Sequence, residues 1–307
     1  MNNQKEGISF ECPCCRSLDC RSIGKIAVFL EDVFFSGSAK ADPGKLYECR
    51  QCHLFFRWPV LSQERYTELY KKLATDRWPE EGTRPDWDTL LEIIKKYASG
   101  KKILDIGAFT GGFLNRLGPE WSKSVIEPNP LAQRKCEEKG LKMLGSVIED
   151  VKTSEAFDVL CLLDLLEHMV QPYDFLEKLK KWTAPKGITV IYTGTTDALS
   201  WRIQQADIWY IRYPEHNSFM SKKWFQWAAD KLGMDILHYE TLSHFDFSGK
   251  QKIRQALAAM FYALNKSMPE KVFIKNVYPF NQISRWQGPP VWNSLKDHCA
   301  VVLRRRN

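Results

Sequence analysis

No apolar run in the chain approaches the ~18 residues that a bilayer-crossing helix needs. Nor does a charged start followed by an apolar stretch lead to a small-residue cleavage site. From these two absences the expectation is a soluble, cytoplasmic protein without a membrane span or an export leader. A basic field spread over the whole chain is also missing. The net charge is +7, yet residues 1–100 carry 15 basic and 15 acidic side chains, and residues 101–250 carry 19 and 20. The excess lies wholly in residues 251–307, with 10 basic and 2 acidic. Nucleic acid is therefore not the expected partner. The nine cysteines are clustered and follow no export signal, so they point to metal in a reducing compartment rather than to a disulfide scaffold. What remains is a chain of 307 residues, 44% hydrophobic, long enough for one full α/β domain and a smaller module.

Residues 101–113 (KKILDIGAFTGGF) organise the rest. They read as a buried strand ending at Asp105, a tight turn at Gly107 and Gly111, and the opening of a helix. Glycine is needed where a ligand meets bare backbone or the chain turns left-handed. A dinucleotide fingerprint would place a glycine where Phe109 stands, so that match is poor. Residues 124–129 (SVIEPN) read as a second strand ending in Glu127, 22 positions after Asp105. Residues 157–168 (FDVLCLLDLLEH) read as a further strand closed by Leu-Glu-His, and residues 185–192 (PKGITVIY) as a turn and the next strand.

In this order, these motifs resemble those of the class I S-adenosylmethionine (SAM)-dependent methyltransferases, and Phe109 is the one departure from the family's glycine pattern. The resemblance implies an α/β, Rossmann-like sheet over 101–307. It implies that Asp105, Gly107 and Gly111 hold the methionine end of SAM. Glu127 would accept the two ribose hydroxyls in a charge-strengthened pair of hydrogen bonds. Ser146, Val147 and Ile148 would lie against the adenine, and Asp164 at the close of the fourth strand completes the cofactor set.

Ahead of this domain stand Cys12-Pro-Cys-Cys15 and Cys49-Arg-Gln-Cys52. Two C-x2-C knuckles present four thiolates to one tetrahedral ion, and zinc suits that ligand set. The expected ligands are Cys12, Cys15, Cys49 and Cys52, with Cys14 and Cys20 as substitutes and His53 as an outside candidate. Four thiolates close the site, so Zn2+ there is structural. The arrangement over residues 1–60 resembles a zinc ribbon. The segment 47–59 resembles the lead-in of methyltransferases from bacterial sugar and cell-surface biosynthesis, with His53 in place of a usual glycine. Residues 61–100 read as a helical linker or cofactor lid: an amphipathic helix over 62–75, a loop over 76–86 and a helix over 87–97.

Ligands bind outside the carboxyl ends of the strands in such a sheet. His168 leaves the fourth strand there, as a general base or as part of a Leu-Glu-His that caps the following helix and holds the loop, with Glu167 structural. His216 lies in Tyr213-Pro-Glu-His216, which resembles a loop segment of the family that faces the methyl-transfer mouth. Trp201, Trp209 and Tyr213 either wall the substrate or bury that loop. A helix follows, with Ser221 as N-cap and Gly233 past its end.

An insertion at about 245–295 separates the last two strands. Ile253, Leu257, Met260, Phe261 and Leu264 share one helical face there, with Lys250, Lys252, Arg254 and Lys266 nearby. The segment 250–275 suits a packed insertion, a membrane surface, an anionic substrate or a second subunit. The leading expectation is SAM-dependent methyl transfer to a small molecule: a sugar, nucleotide-sugar or surface-polysaccharide precursor. The alternatives are an RNA methyltransferase that uses the cysteine module to hold RNA, and a non-catalytic binding protein of the same fold.

Overall fold

The computed structural model describes residues 10–27, 43–60, 62–71, 84–267 and 289–306. The chain begins with three strands, β1 (Cys20–Lys25), β2 (Lys45–Cys49) and β3 (Phe55–Trp58), then two helices, α1 (Gln63–Tyr70) and α2 (Pro85–Tyr97). Strands and helices then alternate: β4 (Lys102–Ile106), α3 (Gly112–Asn115), β5 (Ser122–Ile126), α4 (Pro130–Glu138), β6 (Lys142–Gly145), β7 (Phe157–Leu163), α5 (Pro172–Leu179) and β8 (Thr183–Gly194). A short helix α6 (Leu199–Gln204), strand β9 (Ser218–Phe219), α7 (Lys222–Leu232), β10 (Met234–Leu242), α8 (Gly249–Ser267) and β11 (His298–Arg305) follow.

The large sheet has the order β10-β11-β8-β7-β4-β5-β6. Its strands from β6 to β8 are parallel, and β11 runs antiparallel between β8 and β10. Both faces are covered, which is why its central strands are almost continuously apolar. Side chains alternate across the sheet. Leu104, Leu160 and Leu162 pack on one face against Leu176 of α5 and Trp224 and Phe225 of α7. Ile103, Val159 and Cys161 pack on the other against Leu90 and Ile94 of α2, Phe113 of α3 and Cys136 of α4. Each fully buried Leu or Ile side chain of this kind contributes about 1.5–3 kcal/mol.

The small antiparallel sheet has the order β1-β2-β3-β9. Its fourth strand comes from the loop after β8, so Phe55 pairs with Phe219 and Phe56 with Ser218. Cys12, Cys52, Leu54 and Phe56 share the core of Trp224 and Leu232 on α7.

Helix ends follow local chemistry. Ser62 and Ser221 accept from the backbone N–H groups of Arg65 and Trp224, and Asn129 accepts from those of Leu131 and Ala132. Gly233 closes α7 at φ 63°, a left-handed torsion that glycine takes without a Cβ clash. The loop expected over 76–86 ends earlier at its far side. Pro85 opens α2 with Arg84 as its N-cap, because proline lacks the N–H that the first helical position leaves unused. Residues 72–83 of the expected helix and loop, and most of 272–292, lie outside the described residues.

Candidate active site

Parallel strands all end at the same edge of a sheet, and that edge gathers the polar side chains. Asp105 sits on β4 beside Val125 of β5 and Cys161 of β7. It is buried, and its Oδ1 has no hydrogen-bond partner. Burial, with Glu127 nearby, pushes its carboxyl up to about 8. A buried oxygen without a donor is costly, so a hydrogen-bond donor brought to that position would be stabilising.

Glu127 follows β5 and is also buried. Its Oε2 accepts from the Phe109 N–H at 2.8 Å and its Oε1 from the Asn129 N–H at 2.8 Å. Burial pushes its carboxyl up to about 7 against those two donors. Each carboxylate oxygen has a second lone pair, so the same group still accepts from a ligand hydroxyl. Gly107 and Gly111 hold φ of 77° and 75°, and a Cβ at Gly111 would come 2.3 Å from the Leu141 side chain. Phe109 adopts φ 49° between them, a torsion unfavourable to a bulky side chain, and its backbone is held at both ends: N–H to Glu127, carbonyl to the Cys136 thiol. Ser146, at the start of the loop with Val147 and Ile148, accepts from Gln133 Nε2 at 3.0 Å, and that amide also donates to the Glu127 carbonyl. The structure thus brings Ser146 to the end of β5.

Asp164 ends β7 at φ 50° and accepts from Arg84 Nη2 at 2.8 Å. Burial opposes its ionisation, but Arg84, with His244 and His298, holds the carboxyl below its ordinary range. Its ligand atom lies within 4.8 Å of ligand atoms of His244 and His298. Arg84 also grips Asp86, which is buried and stands 3.4 Å from His244 Nδ1. His298 donates from Nδ1 to Asp297 at 2.9 Å and stacks on His244 at 4.6 Å.

Glu167 and His168 form a single 3-10 turn, Leu166–His168. The expected cap does not form: α5 starts at Pro172 with Gln171 as an N-cap that makes no side-chain bond. Glu167 instead accepts from Tyr210 Oη at 2.5 Å and Thr193 Oγ1 at 2.7 Å, so it ties the loop after β8 to the sheet. Burial, with Asp164 nearby, pushes its carboxyl up to about 7. His168 Nδ1 meets the hydroxyl of Tyr70 on α1.

His216 is buried and its Nδ1 donates to the Tyr210 carbonyl at 2.7 Å. That bond fixes the tautomer and leaves Nε2 as the basic nitrogen. Burial, then His168, depress its pKa well below the ordinary value. Its ring lies 4.9 Å from that of His168, and Glu167, His168 and His216 hold ligand atoms within 4.8 Å of one another. The structure therefore brings both sequence-assigned histidines together.

The loop carrying His216 is held from the cysteine module. Arg57 of β3 is buried, and its guanidinium donates to the carbonyls of His216 at 3.1 Å, Tyr213 at 2.8 Å and Ile211. Tyr66 of α1 donates to Asn217 Oδ1 at 2.9 Å. Trp201 packs on Phe55 and Phe219, so it buries the loop against the module rather than walling a substrate. Within the module, Cys12 and Cys52 place their sulfurs 3.6 Å apart and Cys15 and Cys49 theirs 3.5 Å apart. All four lie within 4.8 Å of one another and none is in a disulfide. Arg16 and His53, each just past the second cysteine of a knuckle, both adopt φ 62°. Cys14 points away to Trp224 Nε1, and Cys20 to the Ser17 carbonyl.

Arg57, Arg84, Asp86, Tyr210, His244 and His298 are missing from the sequence-assigned set. One signal was legible: an antiparallel strand starts where its parallel neighbours end, so His298, first in β11, had to face Gly194, last in β8.

The chain is similar to several known proteins. Over 167 residues the chain is 30% identical to the mitochondrial ubiquinone biosynthesis O-methyltransferase of Schizosaccharomyces pombe, covering 45% of this chain and 60% of that protein. Over 116 residues it is 30% identical to the tRNA U34 carboxymethyltransferase of Pseudoalteromonas translucida, covering 35% of this chain and 36% of that protein. Among solved structures it aligns with the N-methyltransferase NodS of Bradyrhizobium japonicum in complex with S-adenosyl-L-homocysteine at 15% identity and a TM-score of 0.48, over 80% of this chain and 99% of that one. The family model described as a methyltransferase domain matches residues 80–239, just over half of the chain. The chain therefore belongs to the methyltransferase-domain family, and residues 80–239 are a SAM-dependent methyltransferase domain.

Proposed function

We propose that the protein transfers a methyl group from SAM to an oxygen of a small-molecule acceptor, with His216 as general base. The observation that carries this is the placement of His216: its Nδ1–H is spent on the Tyr210 carbonyl, which leaves Nε2 as the basic nitrogen beside His168 and Glu167, and burial lowers its pKa. A general base must be unprotonated at working pH and held in place; burial favours the first and the bond to the Tyr210 carbonyl supplies the second.

SAM, when bound, supplies a methyl group already activated on a sulfonium. The chain's own residues bind, orient and move a proton. Asp105, with its unpartnered Oδ1, suits the ammonium of the methionine end. Glu127 suits the ribose hydroxyls, Gly107 and Gly111 let the ligand approach the backbone, and Ser146 to Ile148 face the adenine side. Asp164 is held by Arg84 among His244 and His298, so in this reading it shapes the acceptor side of the mouth. His216 Nε2 takes the acceptor hydroxyl's proton as the oxygen attacks. His168, fixed by Tyr70, stands next to it as the group that orients the acceptor or passes the proton on.

The four thiolates of Cys12, Cys15, Cys49 and Cys52 suit a structural zinc ion. Zinc–sulfur bonds of ~2.3 Å in a tetrahedron put the sulfurs ~3.8 Å apart, close to the 3.5 and 3.6 Å seen for two pairs. The ion would stabilise the small sheet and, through Arg57, the loop of His216.

A small-molecule acceptor agrees with the charge balance of residues 1–100. That the acceptor is a sugar, nucleotide-sugar or surface-polysaccharide precursor rests on the resemblance of segment 47–59 alone, and the relatives reported above are named for ubiquinone biosynthesis and tRNA. Methylation of RNA is the second reading, favoured by the tRNA relative and opposed by the even charge of the module. The test is transfer of labelled methyl from SAM into a small-molecule extract and into total RNA. Label in alkali-stable ethers of small compounds supports the proposal, and label in nuclease-sensitive polymer refutes it.

A further inference from the structure

A helix lying on a soluble domain normally turns its apolar stripe inward. The helix α8 does the reverse. Its inner side carries Gln255, Ala259 and Tyr262: Ala259 is fully buried, and Gln255 exchanges two hydrogen bonds with Asn293. Its outer side carries Ile253, Leu257, Met260 and Leu264, which are 64%, 46%, 49% and 55% exposed. Their spacing of four, three and four residues puts them in one line along the helix.

The surroundings extend this surface. Nine large apolar side chains are exposed among the described residues, and seven of them lie on α6, α8 or the segments beside α8. Leu199 belongs to α6, on which α8 packs. Phe245 precedes α8, edge-on to His244 at 4.5 Å. Exposed apolar side chains therefore occur both along α8 and at Phe245, beside His244 of the candidate active site. A concentrated exposed patch of this kind marks an interaction surface.

Charge decides between partners. Lys250 and Arg254 flank the apolar line on one side and Lys252 on the other, all exposed. No acidic side chain occurs within α8; the exposed Asp246 lies before its start. A second copy of this chain would bring the same positive charge to the same surface. An anionic bilayer meets both features at once, taking the apolar line into its headgroup layer and the basic flanks against its phosphates. None of the described helices is long and apolar enough to cross a membrane, so contact is along the surface.

We propose that α8 is a membrane-surface helix that docks the protein on anionic lipid with the candidate active site close to the bilayer. This is independent of which acceptor is methylated. The test is sedimentation of the full chain with vesicles of phosphatidylcholine and phosphatidylglycerol in equal parts, and with phosphatidylcholine alone. The wild-type protein is expected to bind the anionic vesicles, to be released by salt, and to bind neutral vesicles at least tenfold more weakly. Leu257→Asp with Met260→Asp should lower anionic-vesicle binding at least tenfold while SAM affinity and the far-ultraviolet circular dichroism stay unchanged. Lys252→Gln with Arg254→Gln, which keeps the apolar line, should weaken binding and flatten its salt dependence. Absence of vesicle binding, or binding that survives the aspartate pair, overturns the proposal. So does a wild-type dimer that the aspartate pair dissociates, because a second copy would then be what covers the line.

Discussion

Replacing Arg57 with methionine tests whether the cysteine module sets the geometry of the mouth. The guanidinium serves three backbone carbonyls of the loop after β8, and the β3–β9 pairing adds the Arg57 N–H to the Asn217 carbonyl. Methionine keeps the stem and removes every side-chain donor. Each buried carbonyl left without a partner costs about 1–3 kcal/mol. Part of that is returned, because the buried cation, whose pKa burial drives down to about 10, is removed as well. A net loss of about 3–5 kcal/mol is the scale for breaking a buried charged cluster. Against the ~5–15 kcal/mol that holds a domain together, the variant stays folded but melts roughly 10 °C lower. The diagnostic is the split in function. Asp105 and Glu127 sit at the ends of β4 and β5 and make no contact with Arg57, so SAM affinity should hold. The methyl-transfer turnover number should fall at least tenfold, as the His216 carbonyl is freed and its ring loses its position. Arg57→Lys, which keeps the charge but not the planar fork, should recover part of the stability and little of the rate. Unchanged melting together with unchanged turnover in the methionine variant would refute the coupling.

The remaining expectations concern the site itself. Glu127→Gln should weaken SAM binding roughly 10–100-fold, the scale of losing hydrogen bonds to a charged acceptor, as isothermal titration would read. Because burial raises the Glu127 carboxyl to about 7, SAM affinity of the wild type should tighten as pH rises through neutrality, and the Gln variant should lose that dependence. The same raised carboxyls of Asp105, Glu127 and Glu167, at about 8, 7 and 7, bind protons more tightly folded than unfolded. Stability of the ligand-free protein should therefore fall as pH climbs from about 4 to about 8, measured by urea titration; a rise over that window would contradict the burial argument. His216→Ala should abolish turnover at saturating SAM with the cofactor still bound, while wild-type turnover stays level well below pH 7 because the imidazole remains neutral. Cys49→Ser or a strong chelator should lower the melting temperature, and metal analysis of freshly purified protein should find one zinc per chain; finding none would remove the thiolate assignment.

The order of the sheet was legible because parallel strands buried on both faces leave a strong mark. Runs such as 157–163 have no polar interruption on either face except where the strand begins, and each is followed by a turn residue and a helix of 3.6-residue period. The knuckles were legible for a similar reason: two cysteines three apart define a local geometry that needs no long-range knowledge. Glu167 shows where this stops. Sequence placed it in a structural role that caps the next helix and holds the loop; the cap does not form, and the partners through which it holds a loop, Thr193 and Tyr210, lie 26 and 43 positions away, on β8 and in the following loop. Nothing in Leu-Glu-His encodes that distance.

The same distinction explains the shape of the mouth. Asp105 and Glu127 are each fixed by the strand that carries them, so their neighbourhood could be read one motif at a time. Arg84, Asp164, His244 and His298 meet because four different segments come to one edge, one of them as the first residue of a strand that runs the opposite way. The acceptor side is thus the part of the site assembled by topology rather than by motif, and it is also where the two histidine clusters differ in chemistry. In the Glu167–His168–His216 group burial works against charge: it lowers the pKa of His216 and raises that of Glu167, while hydrogen bonds to Tyr210 and Tyr70 fix the three side chains in place. Beside the Asp164–His244–His298 group charge is favoured: Arg84 stands between the carboxylates of Asp86 and Asp164, and Asp297 raises the pKa of His298 despite burial. A neutral base on one side of the mouth and a charged, hydrogen-bonding wall on the other is the division a hydroxyl acceptor needs: one side removes its proton, the other holds the rest of the molecule still. Substituting His244 or His298 should therefore raise the KM for the acceptor more than it lowers turnover, whereas substituting His216 should do the opposite, and a steady-state comparison of the variants decides whether the two clusters divide the work in this way.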